Sequence, residues 1–277
     1  MKKLFIPLFA IALAGAFSAC DKTSPDMTGN GHLVVKVTDA PFPVDMIESA
    51  TVTITKVELR KAGDGIPDGY PFIVLMEDTV TFDLLDLRNG VTEELLAMEI
   101  PAGTYNLMRL YVEEASLKIK DGETYSVKVP SGKQTGIKIF VRPEFHVTGG
   151  LTTELLLDFD LSRSFLMIGS FNNPRGINGF HFKPVIRAVN NSTAGRIMGM
   201  VSDTSKVKIV NAQVWVAQDT VVAEAYTDTL GHYAIIGLPA GKYSVFATKE
   251  DYDTVSYENV DIFPGNLTIK DFMLTHK

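Results

Sequence analysis

Apolar and polar side chains alternate along most of the chain with a period of two. In HLVVKVTD, residues 32–39, Leu33, Val35 and Val37 are interleaved with Val34, Lys36 and Thr38, which sets one group on each face of an extended strand. ATVTITKVEL, residues 50–59, repeats the pattern with Val52, Ile54, Val57 and Leu59 among threonines and charges. The count slips by one near Thr55 and Lys56, as an inserted β-bulge residue would make it do. Further strands are expected at 72–75, 80–85, 105–113, 116–120, 125–129, 136–140, 151–161 and 180–189. Between them lie KAGDGIPDGYP, PSGKQTG and GSFNNPRGING, which carry turn chemistry. A helix is expected only over residues 91–98, VTEELLAM, where helix-favouring residues follow Asn89 and Gly90. From Gly195 onward, after NNST, about seven short strands fit into roughly 80 residues, the spacing of a compact sandwich. The pattern predicts an all-β chain of two β-sandwich modules, residues 32–190 and 195–277.

The first twenty residues break this pattern. MKKLFIPLFAIALAGAFSAC places Lys2 and Lys3 ahead of an apolar run too short for a membrane-spanning helix, then small residues and the sole cysteine, Cys20. This reads as an export signal over residues 1–19. Its end, FSAC, resembles the lipobox of bacterial lipoproteins, which implies cleavage before Cys20, acylation of its thiol, and an outer-membrane lipoprotein facing the periplasm or the cell surface. Residues 20–31, rich in Gly, Pro, Ser and Thr, would then be a flexible tether. Lipid, rather than basic side chains, is the expected membrane contact.

Removal of the signal leaves 24 basic against 33 acidic side chains, a net charge near −9. A chain this acidic, with no basic tract, is a poor binder of nucleic acid. With no second cysteine, no intramolecular disulfide can form and thiol chemistry is absent once Cys20 is acylated.

IPAGTY, residues 100–105, returns as LPAGKY, residues 238–243. Pro fixes φ and lacks a donor, Gly supplies a turn conformation, and Tyr opens the next strand with its ring buried and its hydroxyl free to find a partner. The expected role is structural in both copies. The second copy sits in TDTLGHYAIIGLPAGKYSVFA, preceded by GMVSD and AQVWV. This stretch resembles the carboxypeptidase regulatory-like domain, a transthyretin-like, immunoglobulin-like sandwich, over residues 195–277. The resemblance implies a structural or presenting module with no peptidase activity. VKVTDAP, FDLLDL, IPAGTYNLMRL, VPSGKQTGIKI, LLLDFDLSRSF and FKPVIRA resemble a Bacteroidetes-type lipoprotein domain family of undetermined function. That likeness marks Asp39, Asp83, Arg109, Lys138, Asp158 and Asp160 as recurring polar positions.

Asp158 and Asp160 are two residues apart in LLLDFDLS and so share a strand face. With a third carboxylate such as Asp39 or Asp83 they could hold a hard cation such as calcium, or they could pair with Arg109 and Lys138 in an internal ion-pair network. In GSFNNPRGINGF, Phe171, Asn172, Asn173, Arg175 and Phe180, together with Tyr70 on a second loop, are candidates for glycan or protein recognition. The alternative is that Phe171 and Phe180 plug the sandwich end. Trp215 is expected to pack at the edge of a core. The five histidines are scattered, and no nucleophile elbow, phosphate loop or dinucleotide fingerprint is present. Three D-T-V triplets resemble the short O-glycosylation motif of Bacteroidetes secreted proteins and mark Thr79, Thr220 and Thr254.

The leading functional reading is a non-catalytic, lipid-anchored envelope protein that binds a glycan or an envelope protein, or serves in adhesion. A structural or assembly subunit of an envelope or pilus-like complex is the alternative, and a hydrolase using the strand carboxylates is the least favoured.

Overall fold

The alternating pattern is realised as twenty strands and two single helical turns in a computed structural model that describes residues 29–40, 46–63, 71–127, 129, 134–169 and 176–277. The first module contains β1 (Asn30–Ala40), β2 (Ile47–Lys61), β3 (Phe72–Met76), β4 (Val80–Asp83), a 3-10 turn (Leu84–Leu87), β5 (Glu93–Pro101) and β6 (Gly103–Ile119). It continues through β7 (Thr124–Val127), β8 (Ile137–Val147), β9 (Thr152–Asp160), α1 (Leu161–Ser164), β10 (Phe165–Gly169), β11 (Ile177–Phe182) and β12 (Ile186–Asn190). The second contains β13 (Gly195–Asp203), β14 (Gln213–Ala217), β15 (Val221–Tyr226), β16 (His232–Leu238), β17 (Gly241–Thr248), β18 (Val255–Ile262), β19 (Leu267–Ile269) and β20 (Phe272–Leu274).

One sheet dominates the first module, in the order β3-β2-β6-β8-β12-β9-β1-β5, with β4 added to β2 and β7 to β6. It curls so far that its two end strands, β3 and β5, come within 8 Å of each other in Cα distance. The inward positions of nearly every strand thereby join a single core, from Leu33 and Val35 through Leu59, Tyr105 and Leu110 to Phe145 and Phe159. The β10-β11 ribbon closes one side with Phe165, Phe180 and Phe182. The second module is a two-sheet sandwich, β16-β13-β19 with β20 against β15-β14-β17-β18, around Ile197, Val214, Tyr243, Val245 and Phe272.

The bulge expected near Thr55 is present: the β2-β6 register shifts between Ile54 and Lys56. The helix expected at 91–98 is not. Residues 93–98 belong to β5, which pairs with β1 from Asn30↔Pro101 to Val37↔Glu93. A register shift opposite Val35 and Lys36 lets Leu95 and Leu96, adjacent in sequence, both be buried. Leu84 and Leu85 leave β4 for the 3-10 turn, because the Asp83 carboxylate accepts the amides of Leu85 and Ala50 and so caps it. The strand expected at 180–189 is two strands separated at Pro184, where no amide is available to a ladder. The strands expected at 105–113 and 116–120 are one, β6.

The repeated hexapeptides adopt one local structure. Tyr105 donates its hydroxyl to the Pro101 carbonyl at 2.6 Å, and Tyr243 donates to the Pro239 carbonyl at 2.8 Å. Burial pushes the Tyr105 phenol up to about 12 and raises that of Tyr243, so both stay donors. Each tyrosine therefore pins the turn it has just left, one in each module.

Strand β9 is covered on both faces. Leu155, Leu157 and Phe159 enter the first core, while Leu156 joins Val189, Ala194 and Ile236 in a small cluster between the modules. Full burial of each such side chain is worth about 1.5–3 kcal/mol. The second module thus sits on the outer face of the large sheet over β12, β9 and β1, and among the described residues it does not reach the outer face of β3, β2, β6 and β8.

Candidate binding face and module junction

On the uncovered half, outward side chains form two rows across the strands. The first runs Val74, Glu58, Arg109, Lys138, and the second Phe72, Arg60, Leu107, Phe140, each step being a directly opposed pair. Neighbouring strands lie about 4.8 Å apart, so the residues of a row are in contact range. The Arg109 guanidinium lies 3.9 Å from the centre of the Phe72 ring, and that of Arg60 lies 5.6 Å from it. Arg109 also donates to Glu58 at 3.2 Å, as does the Tyr111 hydroxyl at 3.1 Å, and Lys56 contacts both Glu58 and Glu77. Burial pushes the Glu58 carboxyl up, but the bonds from Lys56 and Tyr111 and the nearby cations outweigh it and hold the group below its ordinary value. Gly136, at φ +67°, lets Arg109 lie flat, since a Cβ there would stand 2.4 Å from Arg109 Cγ. Beyond this fixed group, Lys138 and Arg142 are exposed, Phe140 is 55% exposed, and Arg142 lies 5.6 Å from the Phe140 ring centre.

The covered half is organised by Arg187 of β12. It lies directly opposite Asp158 of β9 and donates to that carboxylate from Nε at 3.2 Å and Nη2 at 2.6 Å. Its other N–H groups cross to the second module, donating to the carbonyls of Gly237 at 2.5 Å and Ile236 at 3.3 Å. Gly237 permits that approach: at φ +66° its missing Cβ would stand 2.8 Å from Leu156 Cδ2. Burial raises the Asp158 pKa, and the Arg187 charge opposes the shift without cancelling it. Asp160 accepts the Arg163 amide as the cap of α1, pairs with the Arg163 side chain, and accepts from Ser162, which also donates to Glu224 of the second module. Asp39 is 4% exposed, and neither of its carboxylate oxygens has a hydrogen-bond partner. Burial, and then the Asp158 charge, raise its pKa well above the ordinary carboxylate range. The Leu161 amide pulls the other way without reaching hydrogen-bonding geometry. Burial, followed by the charges of Glu224 and Asp160, pushes the Tyr226 phenol up to about 12.

Residues 30–184 match the model of the domain of unknown function DUF4382, more than half of the chain. The chain belongs to the DUF4382 family. Residues 196–275 match the carboxypeptidase regulatory-like domain, so the second module is of that kind. A search of curated proteins finds no match. Among solved structures the chain is similar to the Bacillus anthracis TIE protein, at 13% identity and a TM-score of 0.26, covering 89% of this chain and 34% of that one. It is similar also to the shaft pilin SpaA of Lactobacillus rhamnosus GG, at 10% identity and a TM-score of 0.27, covering 90% of this chain and 98% of that one. The Bacillus cereus major pilin subunit BcpA gives 13% identity and a TM-score of 0.25, covering 90% and 71% of the two chains. These scores are too low to assign the chain to their folds.

Within the DUF4382 module the residues singled out from sequence fall into three groups. Arg109 and Lys138 are brought together on the open face, but the acid beside them is Glu58, not Asp158 or Asp160. The aspartates divide: Asp83 caps the 3-10 turn, whereas Asp39, Asp158 and Asp160 lie at the junction with the second module. Among the described residues, no group of three or more His, Cys, Asp or Glu side chains is placed to hold a metal ion. Phe180 is not a surface contact; it is 7% exposed and packs edge-on against Tyr125 at 5.4 Å. Cys20, Tyr70, Phe171, Asn172, Asn173 and Arg175 lie outside the described residues. Thr79, Thr220 and Thr254 are exposed, and Thr254 donates to Thr248. Trp215 stacks on Phe246 across β14 and β17 at 5.0 Å. Sequence reading missed Arg187, Phe72 and Phe140. The signal for the first was a lone arginine between Ile186 and Ala188 in FKPVIRA, a charge at an outward strand position.

Proposed function

We propose that this is a lipid-anchored, non-catalytic envelope protein whose DUF4382 module binds an external ligand, a glycan or a protein, on the open half of its outer sheet face. The observation that carries the reading is the Arg60–Phe72–Arg109 stack beside exposed Lys138, Phe140 and Arg142. Cations held flat on aromatic rings are preorganised, so binding loses little side-chain entropy. The carboxylate pair on β9 does not compete with this reading, because Asp158 and Asp160 are 8% and 5% exposed under the second module and each is engaged by an arginine.

Two measurements test the proposal. Purified mature protein is applied to an array of bacterial and host glycans and matrix proteins, in parallel with a Lys138→Glu/Arg142→Glu variant. Selective binding that the variant loses is expected, and identical profiles would refute the face. For the anchor, radiolabelled palmitate should enter the full-length chain in cells and not a Cys20→Ala variant.

A further inference from the structure

The outer face of the β16-β13-β19 sheet in the second module gathers sulfur and nitrogen donors. On β13, Met198 and Met200 point outward on either side of Gly199, while Ile197 and Val201 enter the core. Both methionines are half-buried and line a cavity of about 530 Å³ that has Asn89 of the first module in its wall. β16 runs antiparallel to β13 with His232 directly opposite Met200, so imidazole and thioether share one face at a Cα separation of about 5 Å. Met198 follows on that face about 6.7 Å along the strand, a gap that a side chain with three rotatable bonds covers. His232 also lines the cavity; it is exposed, and among the described residues its ring enters no hydrogen bond or ion pair.

Carboxylates bracket the pair. Asp271 accepts the Met200 amide at 2.9 Å, and Asp228 accepts the His232 amide at 2.9 Å. Gly199 makes the first contact possible, because a Cβ there would stand 1.8 Å from the Lys270 carbonyl oxygen and push the chain before Asp271 off β13. Among the described residues, no lysine or arginine lines the cavity. One cation nevertheless reaches its edge: the Lys208 ammonium donates to Met200 Sδ at 3.1 Å. The sulfur is thus presented to positive charge rather than sealed in apolar packing.

The donor set selects the metal. Calcium and magnesium require a shell of oxygens, and zinc takes thiolate, imidazole and carboxylate. Among the described residues no three His, Cys, Asp or Glu side chains are grouped for either. Thioethers favour Cu(I), with imidazole as a compatible partner. We propose that Met198, Met200 and His232 bind a soft monovalent metal ion, Cu(I), in this cavity. Asp228 and Asp271 add negative potential around it, and the ion is held without change of oxidation state. The cavity is far larger than one ion needs, so the bound ion stays open to an exchanging ligand, unlike a closed structural metal. The site lies on the second module and is independent of the binding face on the first.

The test uses the complete mature chain, untagged and carrying Cys20→Ala so that no thiol competes, with carbon-13 methyl labels on its methionines. Ag(I), a redox-inert analogue of Cu(I), is titrated while the methyl resonances are followed. Cu(I) affinity is then read under ascorbate by competition with bicinchoninate. One equivalent should shift Met198 and Met200 and leave Met273, 52% exposed on β20, in place. Met198→Leu and Met200→Leu conserve volume and should each weaken Cu(I) by about tenfold or more, as should His232→Gln, since outer-shell partners alone are worth roughly 10–100-fold. Lys208→Ala should instead tighten binding about fivefold, because it removes a positive charge from beside the Met200 sulfur. Zn(II) should bind far more weakly than Cu(I). Shifts that spread to Met273, or a Met198→Leu/Met200→Leu chain that holds Cu(I) as tightly as its parent, would overturn the site. Zn(II) matching Cu(I) would overturn the soft-metal assignment, and an unchanged affinity in Lys208→Ala would overturn the placement of the ion on the Met200 sulfur.

Discussion

Replacing Arg187 with methionine tests the account of the module junction most directly. The substitution keeps an unbranched stem of similar length but removes every N–H that reaches Asp158, Gly237 and Ile236. The side chain of Asp158 is 11% exposed, so its carboxylate would be left charged, buried and uncompensated. Breaking one partner of such a pair costs 3–5 kcal/mol in well-enclosed cases. Arg187 is itself 24% exposed and water can follow it out, which argues for the lower end, about 3 kcal/mol. For a chain of this size that corresponds to a fall in melting temperature of roughly 6–12 °C. The pH dependence has a definite sign. Without the guanidinium, burial and the Asp160 charge act on Asp158 against Arg163 alone, and its native pKa rises further above the unfolded value of about 3.9. The native variant then holds a proton that the unfolded chain has released, so its deficit grows as pH rises through that window and shrinks on acidification. Differential scanning calorimetry of the mature chain at several pH values measures both effects, and Asp158→Asn in the same background should recover most of the loss at neutral pH. A cost below about 1 kcal/mol, or a failure of Asp158→Asn to rescue, would mean that the pair does not hold the junction.

Asp39→Asn should raise the melting temperature at neutral pH and have little effect near pH 4: the wild-type native pKa is raised, so wild-type stability is lost as pH climbs above the ordinary carboxylate value, and the variant should not share that slope. Tyr105→Phe and Tyr243→Phe should each cost about 1 kcal/mol in urea denaturation, the net worth of one hydrogen bond to a turn carbonyl. Unequal costs, with one near zero, would show that the two hexapeptides are alike only in sequence. Gly237→Ala should cost about 1–2 kcal/mol from its left-handed backbone alone and should loosen the junction through Leu156, seen as faster proteolysis between residues 190 and 195.

Much of this fold was legible in the chain. The two-residue period gave the strand positions, and the slipped count at Thr55 gave the bulge, because both are local consequences of pleat and burial. Residues 93–98 were misread for a physical reason: Glu93, Glu94, Leu95, Leu96, Ala97 and Met98 all favour helix, and only pairing with β1, far away in sequence, makes a strand of them. The shared face of Asp158 and Asp160 was predictable from spacing, but their partners were not. Which arginine meets Asp158 is settled by β12 lying antiparallel to β9 with Arg187 in register, and no local pattern encodes that choice. The same holds for the open face, where Arg109 and Lys138 could be named singly but their row, with Phe72 and Phe140 beside it, exists only after β3, β2, β6 and β8 have paired.

Strand β9, buried from both sides, has a consequence for how the chain can be divided. A first module produced alone, ending at Asn190, would carry Leu156 and Val189 on its surface and would leave Arg187 without the two carbonyls it reaches across the junction. Such a fragment should self-associate through that bared strip, although its own core is complete. The two halves match separate family models, yet in this chain the second serves as the lid of the first, and the pair has to be made, moved and inherited as one piece.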